Sequence, residues 1–383
     1  MKTTRVLLTV LCVALILSMP FFLSSPIKPT PAKGSQEREE QIKEQVQNAP
    51  SEDEDSEVID FSRLFFSSAC AEDAMPADEE VIVEEIVEGF PFYNPEWKLP
   101  IDFSEAPRPN PDKYTENGYE DNSIRVAVET REMYGITVNI AFVQIADASQ
   151  LRTAVAGDTQ NSRVDSLVSI AKDEKVNAVI AMNGDLYTQL PEKKTFEVRM
   201  GETIRAKTNN VKDILVIDDL GDFHLFVRSQ GLHKDDNPYY IKQIKEEGRK
   251  IVNALTFGPA LVKDGEMIDQ KTNSEYSYAP NYRNPRSAIG QTGKLSYVMV
   301  VVSGIRGTKD SGATFAELAQ IMYDLGCLQA YNLDGGNTAE MIMFGPEGMG
   351  GELKYDFAGD LAAGDRGIKD IIYFATAVPE SAW

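Results

Sequence analysis

Short apolar runs that stop at small or hydrogen-bonding residues are the feature that most restricts how this chain can fold. Residues 177–182, 296–302 and 329–333 are three such runs, and they end at Asn-Gly-Asp, Ser-Gly and Asp-Gly-Gly, respectively. Apolar runs this short, bounded by turn-forming residues, are typical of buried β-strands. The pattern therefore predicts a sheet-based core whose strands stop at polar, glycine-containing turns.

Helical spacing occurs in fewer segments than strand-like spacing. Residues 163–175 and 314–325 are spaced as helices, and Thr314 with Glu317 forms a capping box at the start of the second. Because the helices are few and do not alternate regularly with strands, we expect an α+β fold with a mixed β-sheet core, a few packed helices and a site at the strand carboxyl ends, rather than a Rossmann or barrel fold. Further strands are predicted at 124–130, 135–145, 214–218, 223–227 and 370–377.

The first 28 residues have the pattern of a membrane signal. Lys2 and Arg5 precede the uncharged, mostly apolar residues 6–27, which are long enough to cross a bilayer as a helix. A cleaved signal peptide is the alternative, although no small-x-small cleavage site follows the apolar run. We expect a single-pass signal anchor over residues 1–28, in the cell membrane, with the rest of the chain extracytoplasmic, or secreted if the N-terminus is cleaved.

Residues 29–118 are acidic and contain many prolines. Residues 33–121 hold 25 acidic against 7 basic side chains, which accounts for most of the net charge of −22. Such a composition buries too little apolar surface to offset its ordering entropy. We therefore expect a largely disordered tether over 29–118 and a folded domain over 119–379. No basic patch is present, so nucleic acid is not expected as a partner.

Four segments of the predicted domain carry residues suited to chemistry. Three are the strand exits above, and the fourth, residues 284–290, places Arg286 just before an apolar strand. Arg286 can bind a phosphate bidentately, and Asp334 can do acid–base or nucleophilic work on an acetal carbon. Each segment alone also has a purely structural explanation, such as a tight turn or a surface ion pair. Their occurrence together favours a site.

Histidine chemistry and metal binding have little support in the sequence. The chain contains His224 and His233 only, and neither belongs to a motif, so a His-based triad or a His-rich zinc site is not expected. No cofactor is required by the sequence. A divalent cation with oxygen ligands near Asp334 is an open alternative.

Six segments, in matching order and spacing, resemble the phosphodiester glycosidase family, often labelled exopolysaccharide-biosynthesis proteins. This family includes the catalytic domain of the animal N-acetylglucosamine-1-phosphodiester α-N-acetylglucosaminidase. The resemblance covers about residues 119–378. The matching segments are AMNGD at 181–185, TFGPALVKDG at 256–265, NPRSAIG at 284–290, TFAELA at 314–319, YNLDGG at 331–336 and RGIKDIIYF at 366–374.

This resemblance implies an extracytoplasmic hydrolase that cleaves the C1–O bond of a sugar 1-phosphodiester in cell-envelope glycan or exopolysaccharide metabolism. The expected partners are a sugar-phosphate or glycan substrate and, through the N-terminal helix, the membrane. A non-catalytic glycan-binding protein and a phosphodiesterase that cuts the P–O bond are the alternatives. The expected catalytic residues are Asp334, Arg286 and Asn183, with Asn183 and Asn337 contacting sugar hydroxyls. The expected substrate-binding residues are Asp185, Ser303, Gly304, Arg306, Gly335, Gly336, Asn337 and Thr338.

The chain departs from the family pattern at several of these positions. A second glycine is usual where Asp185 stands, and an Asp-Gly-Arg run is usual where this chain has Ser303-Gly304-Ile305-Arg306. Asn337 and Thr338 replace a common Gly-Ser pair. The resemblance therefore leaves the strength and specificity of catalysis open, with Arg306 able to serve if its loop is shifted by one residue.

Overall fold

The computed structural model describes most of the chain beyond residue 92, together with residue 90. The described residues are 90, 93–102, 104–157, 165–173, 175–185, 196–206, 212–228, 242, 244–270, 282–308, 310–347, 352–362 and 367–383. The predicted signal anchor over 1–28 lies outside these residues, as does most of the predicted tether. Among the described helices, none is both long and apolar enough to cross a membrane.

Strands form most of the regular structure. They are β1 Tyr114–Thr115, β2 Gly118–Glu120, β3 Ile124–Met133, β4 Ile136–Ile145, β5 Leu151–Val155, β6 Ile180–Asn183, β7 Phe196–Arg199, β8 Glu202–Ala206, β9 Ile214–Asp218, β10 Phe223–Phe226, β11 Ile251–Leu255, β12 Ala260–Lys263, β13 Glu266–Met267, β14 Arg286–Gly293, β15 Ser296–Val302, β16 Gln329–Asn332, β17 Glu340–Phe344, β18 Leu353–Ala358 and β19 Asp370–Phe374. The α-helices α1 Leu167–Ala171 and α2 Phe315–Asp324 accompany them, and residues 242 and 244–246 are helical as well.

The strands form three sheets. The large sheet has the order β1-β2-β3-β4-β15-β14-β16-β12-β13, the β6 sheet the order β18-β17-β6-β19-β5, and the β9 sheet the order β10-β9-β11-β7-β8. Every ladder between these strands is antiparallel, so the sheet that the sequence predicts as mixed is antiparallel wherever the structure describes a ladder. The α+β prediction holds in its broad form, with sheets dominating.

The sheets share one apolar core. Side chains from the large sheet, such as Val301, pack in a single cluster with Met341 of the β6 sheet and Leu215 of the β9 sheet. A second cluster joins the opposite face of the large sheet to α2, and a third joins the β6 sheet to α1. The core therefore lies between sheets, with one helix covering the outer face of each of these two.

Local sequence explains several of the element boundaries. The turn between β3 and β4 uses Tyr134 at φ 55° and Gly135 at φ 67°, as a type I′ hairpin requires. The predicted capping box of α2 is confirmed, because Thr314 and Glu317 each bond the other's backbone N–H. Helix α1 is shorter than the predicted 163–175 in the described residues. The described fold also includes residues before 119, since Leu99 and Ala106 are buried and β1 pairs with β2.

Candidate active site

Asn183, the last residue of β6, joins four separate segments of the fold. Its side chain is fully buried (0% exposed). The amide group donates to the carbonyl oxygens of Asp334 (2.8 Å) and Gly184 (3.1 Å), while Oδ1 accepts from Ser287 Oγ (2.7 Å) and from the Glu340 N–H (3.2 Å). An Asn side chain has two donors and one acceptor oxygen, so its hydrogen-bonding capacity is occupied. Asn183 therefore positions the Asp334 backbone and is not free for the sugar contact expected from the sequence.

Asp334 begins a tight loop directly after β16. Its side chain is half-buried, and Oδ1 accepts from the N–H of Gly335 at 2.9 Å. The N–H of Gly336 donates to the Pro285 carbonyl at 2.9 Å, and a Cβ on Gly335 would lie only 2.8 Å from that same oxygen. The loop thus lies against the residue that precedes Arg286, at a separation that only glycine permits.

Arg286, at the start of β14, is a buried cation. It is 6% exposed, donates from Nε to the Ala313 carbonyl (3.0 Å) and from Nη2 to the Tyr282 carbonyl (2.8 Å), and stacks 3.8 Å from the centroid of Phe315. No carboxylate pairs with it in the described part of the chain. Burial lowers the pKa of Arg286 to about 10, so the guanidinium stays charged at neutral pH. Because no carboxylate of the described residues pairs with it, the Arg286 guanidinium can bind an anion.

The exit of β15 is formed by Ser303 and Gly304. Ser303 Oγ accepts from Asn139 (3.0 Å) and donates to the Ala358 carbonyl (3.3 Å). The N–H of Gly304 donates to the Gly359 carbonyl at 2.8 Å. Ser303 is thus occupied by contacts within the fold.

Arg306 reaches from this exit to the Asp334 loop. Its Nη1 donates to Asn337 Oδ1 at 3.4 Å, and a Cβ built on Gly336, which has φ 69°, would lie 3.3 Å from its Cδ and Nε. A second guanidinium therefore lies next to Gly336 of the Asp334 loop. Thr338, also predicted to bind substrate, is buried and donates to the Gly335 carbonyl, which shapes the loop from inside.

One predicted acidic residue, Asp185, lies away from the Asp334 loop, and one acidic residue that was not predicted, Asp360, lies beside Gly304. Asp185 is fully buried and lies 2.5 Å from Arg199 Nη2, so it faces the interior of the fold and not the Asp334 loop. Asp360, which the sequence analysis missed, is buried beside Gly304 and accepts from the N–H groups of Arg306 (3.5 Å) and Ala362 (3.1 Å). Its Gly-Asp pair directly follows β18 and repeats the strand-exit pattern that found the other segments.

The arrangement can bind an anion and present a carboxylate beside it. Arg286, Asp334, Gly335, Gly336, Asn337 and Arg306 are brought together by contacts of the loop with Pro285 and Arg306. Within the described ranges, no group of three or more His, Cys, Asp or Glu residues is placed to hold a metal ion.

Comparison with known proteins gives a family match over this region. A family model described as phosphodiester glycosidase (NAGPA) matches residues 176–375, which is more than half of the chain. A curated relative, the SPbeta prophage-derived uncharacterized protein YomE of Bacillus subtilis (strain 168), is 33% identical over 94 residues. That match covers 24% of this chain and only 14% of the relative.

Two solved structures that resemble this chain have low sequence identity to it and TM-scores below 0.5. The zebrafish N-acetylglucosamine-1-phosphodiester α-N-acetylglucosaminidase catalytic domain, auto-inhibited by its pro-peptide, is 15% identical with a TM-score of 0.48, and covers 68% of this chain and 87% of that one. A hypothetical protein from Synechocystis is 18% identical with a TM-score of 0.44, and covers 67% of this chain and 62% of that one.

Proposed function

Because this chain belongs to the phosphodiester glycosidase family, we propose that it hydrolyses a sugar 1-phosphodiester at the bond between C1 and the bridging oxygen. Family membership supports a glycosidase-type hydrolase. The observation that carries the finer proposal is Arg286, a buried guanidinium with no carboxylate partner in the described residues, next to the Asp334 loop.

In this proposal, Arg286 and Arg306 bind the phosphodiester. Arg286 is held rigidly by Phe315 and two backbone carbonyls, which leaves N–H groups of its planar fork for two phosphate oxygens. Arg306, which donates to Asn337 of the Asp334 loop, adds a second positive charge. A phosphate already leaves readily, and a cation beside it stabilises the charge that grows as the C1–O bond breaks.

Asp334 is the carboxylate that we propose acts on the sugar carbon. In the proposed reaction, water attacks C1, the C1–O electron pair leaves with the phosphate, and Asp334 accepts the proton of the attacking water. The products are a free sugar and a phosphomonoester. Asp334 also stabilises positive charge at C1 in the transition state. Its position is fixed from behind by Asn183, through the backbone carbonyl, and by its own bond to the Gly335 N–H.

We further propose that the reaction takes place outside the cytoplasm, on a cell-envelope glycan or exopolysaccharide. This part rests on the apolar residues 6–27 and the positive charges before them. A divalent cation near Asp334 stays a proposal that addition and removal of Mg²⁺ or Ca²⁺ in the assay would test.

The function is tested by incubating the full chain with an N-acetylglucosamine α-1-phosphodiester and measuring free sugar. We expect release by the wild type, loss in Asp334→Asn, and wild-type release in Glu266→Gln, which neutralises an exposed acid on β13. If no sugar is released across several glycosyl phosphodiesters while the folded protein still binds glycans, the non-catalytic alternative replaces this proposal.

A further inference from the structure

A buried arginine and three carboxylates lie directly behind Asn183. Arg199 of β7 is fully buried, and its Nη2 lies 2.5 Å from Asp185 Oδ1 and 2.6 Å from Asp370 Oδ2, while its Nη1 lies 3.3 Å from Glu197 Oε2. Asp185, Glu197 and Asp370 are buried as well. We refer to these four residues as the Arg199 cluster.

The Arg199 cluster contains more carboxylates than its single guanidinium can neutralise. Asp185 Oδ2 and both carboxylate oxygens of Glu197 are buried and have no hydrogen-bond partner in the described part of the chain. Arg199 offsets one of the three carboxylate charges, and burial without a partner favours the protonated form of a carboxylate, so the cluster favours retaining a proton. The other cation that acts on Glu197 is Arg205 of β8.

The pKa values of the cluster residues are shifted by burial and by their neighbouring charges. Burial, together with the charge of Asp370 and against the attraction of Arg199, raises the pKa of Asp185 to about 7. Burial and the neighbouring Asp185 raise the pKa of Glu197 well above its usual range. Burial by itself disfavours the charged form of Arg199, but the attraction of Asp370, Asp185 and Glu197 outweighs it and raises the pKa of Arg199.

The cluster also holds the backbone on which the candidate site is built. The Gly184 N–H donates to the Asp370 carbonyl at 2.9 Å, and a Cβ on Gly184 would lie 2.5 Å from the Asp370 carboxylate. The Gly184 carbonyl in turn accepts from the Asp334 N–H at 3.4 Å. Gly184, directly after β6, thus contacts Asp370 of the cluster through its N–H and Asp334 through its carbonyl.

We propose that Arg199, Asp185 and Asp370 are positioning residues for the candidate active site, clamping Gly184 so that Gly184 and Asn183 hold Asp334 in place. This inference rests on the proposed function wherever activity is the readout.

The clamp is sensitive to pH in a defined direction. Asp185 has a higher pKa in the folded chain than in the unfolded chain, so the folded state binds more protons between about pH 4 and about pH 7. The stability contribution of Asp185 is therefore greatest at the acid side of this window, falls as pH rises through it, and is constant above it. Ionisation of Asp185 also adds repulsion from Asp370, which loosens the hold on Gly184.

The proton is tested directly by NMR titration of side-chain carboxyl carbons in the wild-type protein. We expect one aspartate to titrate near neutral pH, to vanish in Asp185→Asn and to persist in Glu266→Gln, the exposed-acid control. If all aspartates of the wild type titrate below about pH 5, the cluster holds no proton on Asp185 and the pH-dependent part of the inference is overturned.

The clamp is tested by hydrogen exchange of the Gly184 and Asp334 amides, with kcat and KM measured alongside. We expect Asp185→Ala to lower the protection of both amides and to lower kcat about tenfold with KM little changed, because positioning acts on the transition state. Asp185→Asn keeps a hydrogen bond to Arg199, so it should retain protection and flatten the decline of kcat between about pH 6 and about pH 8.

These readouts separate the clamp from the proposed function. Reduced amide protection in Asp185→Ala, in a protein that hydrolyses no glycosyl phosphodiester, would support the clamp and reject the proposed function. Hydrolysis with unchanged protection and an unchanged pH profile in both variants would reject the clamp and leave the proposed function standing. If Asp185→Ala does not fold, the wild type decides, because its Asp334 protection factor should fall as pH rises from about 5 to about 8.

Discussion

Arg286 carries a positive charge in the interior of the fold, where charged side chains are rare. It is buried against Phe315, and the described residues provide it with carbonyl oxygens but no carboxylate. Burying such a charge lowers the free energy of unfolding. This loss is compensated only when the guanidinium binds an anion. Sequence reasoning could identify Arg286 because a lone arginine stands before an apolar strand. It could not show that no carboxylate of the described residues pairs with this charge, since pairing depends on residues distant in the chain.

Replacing Arg286 by methionine should separate function from stability. We expect Arg286→Met to lower kcat/KM by at least about 100-fold, because the phosphate loses its buried cation. The free energy of unfolding should stay within about 1 kcal/mol of wild type or rise, because an uncompensated buried charge is removed. Thermal unfolding and steady-state kinetics on the same preparations measure both effects.

Arg152 provides the matched control for that substitution. It is also buried, but it donates to Tyr373 Oη and to the carbonyls of Pro100, Asp102, Ser104 and Ser149, so it is part of the framework. We expect Arg152→Met to lower the free energy of unfolding by about 2–4 kcal/mol, since two buried and three part-buried acceptors lose their donor. Equal destabilisation by the two substitutions would contradict the assignment of Arg286 as a ligand-binding residue.

The strand exits were predictable as elements because their signals are local. The apolar runs of β6, β15 and β16 each stop at polar residues that the sequence predicts for the site, and glycine after Asp334 is explained by the approach of the Pro285 carbonyl. The sequence also predicted that a site would lie at these exits. The direction of Asp185 was not predictable, because it is set by Arg199 of β7, whose burial depends on pairing with the distant β11.

Gly335, in the candidate site, and Gly293, at the opposite end of β14 from Arg286, should respond differently to an added methyl group. A Cβ on Gly335 would lie 2.8 Å from a backbone oxygen, whereas one on Gly293 would meet nothing within 4 Å. We expect Gly335→Ala to shift the loop and lower kcat/KM by about tenfold or more, and Gly293→Ala to leave it unchanged. A Gly335→Ala enzyme with wild-type kinetics would show that the loop does not set the geometry of the reaction.

The cap of α2 connects helix stability to the site. Thr314 and Glu317 form the capping box, and the next residue, Phe315, stacks on Arg286. We expect Thr314→Ala to lower the free energy of unfolding by about 1 kcal/mol, because an N-terminal N–H loses its acceptor, whereas Thr314→Ser should retain most of that stability. Urea unfolding at fixed pH measures the difference, and equal loss in both variants would point to the methyl group rather than the cap.

The molecule as a whole was predictable in class and not in arrangement. The α+β class followed from the ratio of strand to helix patterns, but the order of the sheets did not, because β4 pairs with β15 and β5 with β19 across long stretches of chain. Asp360 belongs to the site region for the same reason, since β18 returns the chain to Gly304. Local patterns predict the strands, and the pairing that assembles a site is decided by the whole core.

The bond that is broken tests the proposed function most directly. Hydrolysis of an N-acetylglucosamine α-1-phosphodiester in oxygen-18 water, followed by mass spectrometry of both products, shows where the solvent oxygen enters. Cleavage of the C1–O bond predicts the label in the free sugar and none in the phosphomonoester. Label in the phosphomonoester instead would show P–O cleavage, and the chain would then act as a phosphodiesterase, contrary to the mechanism built on Arg286 and Asp334.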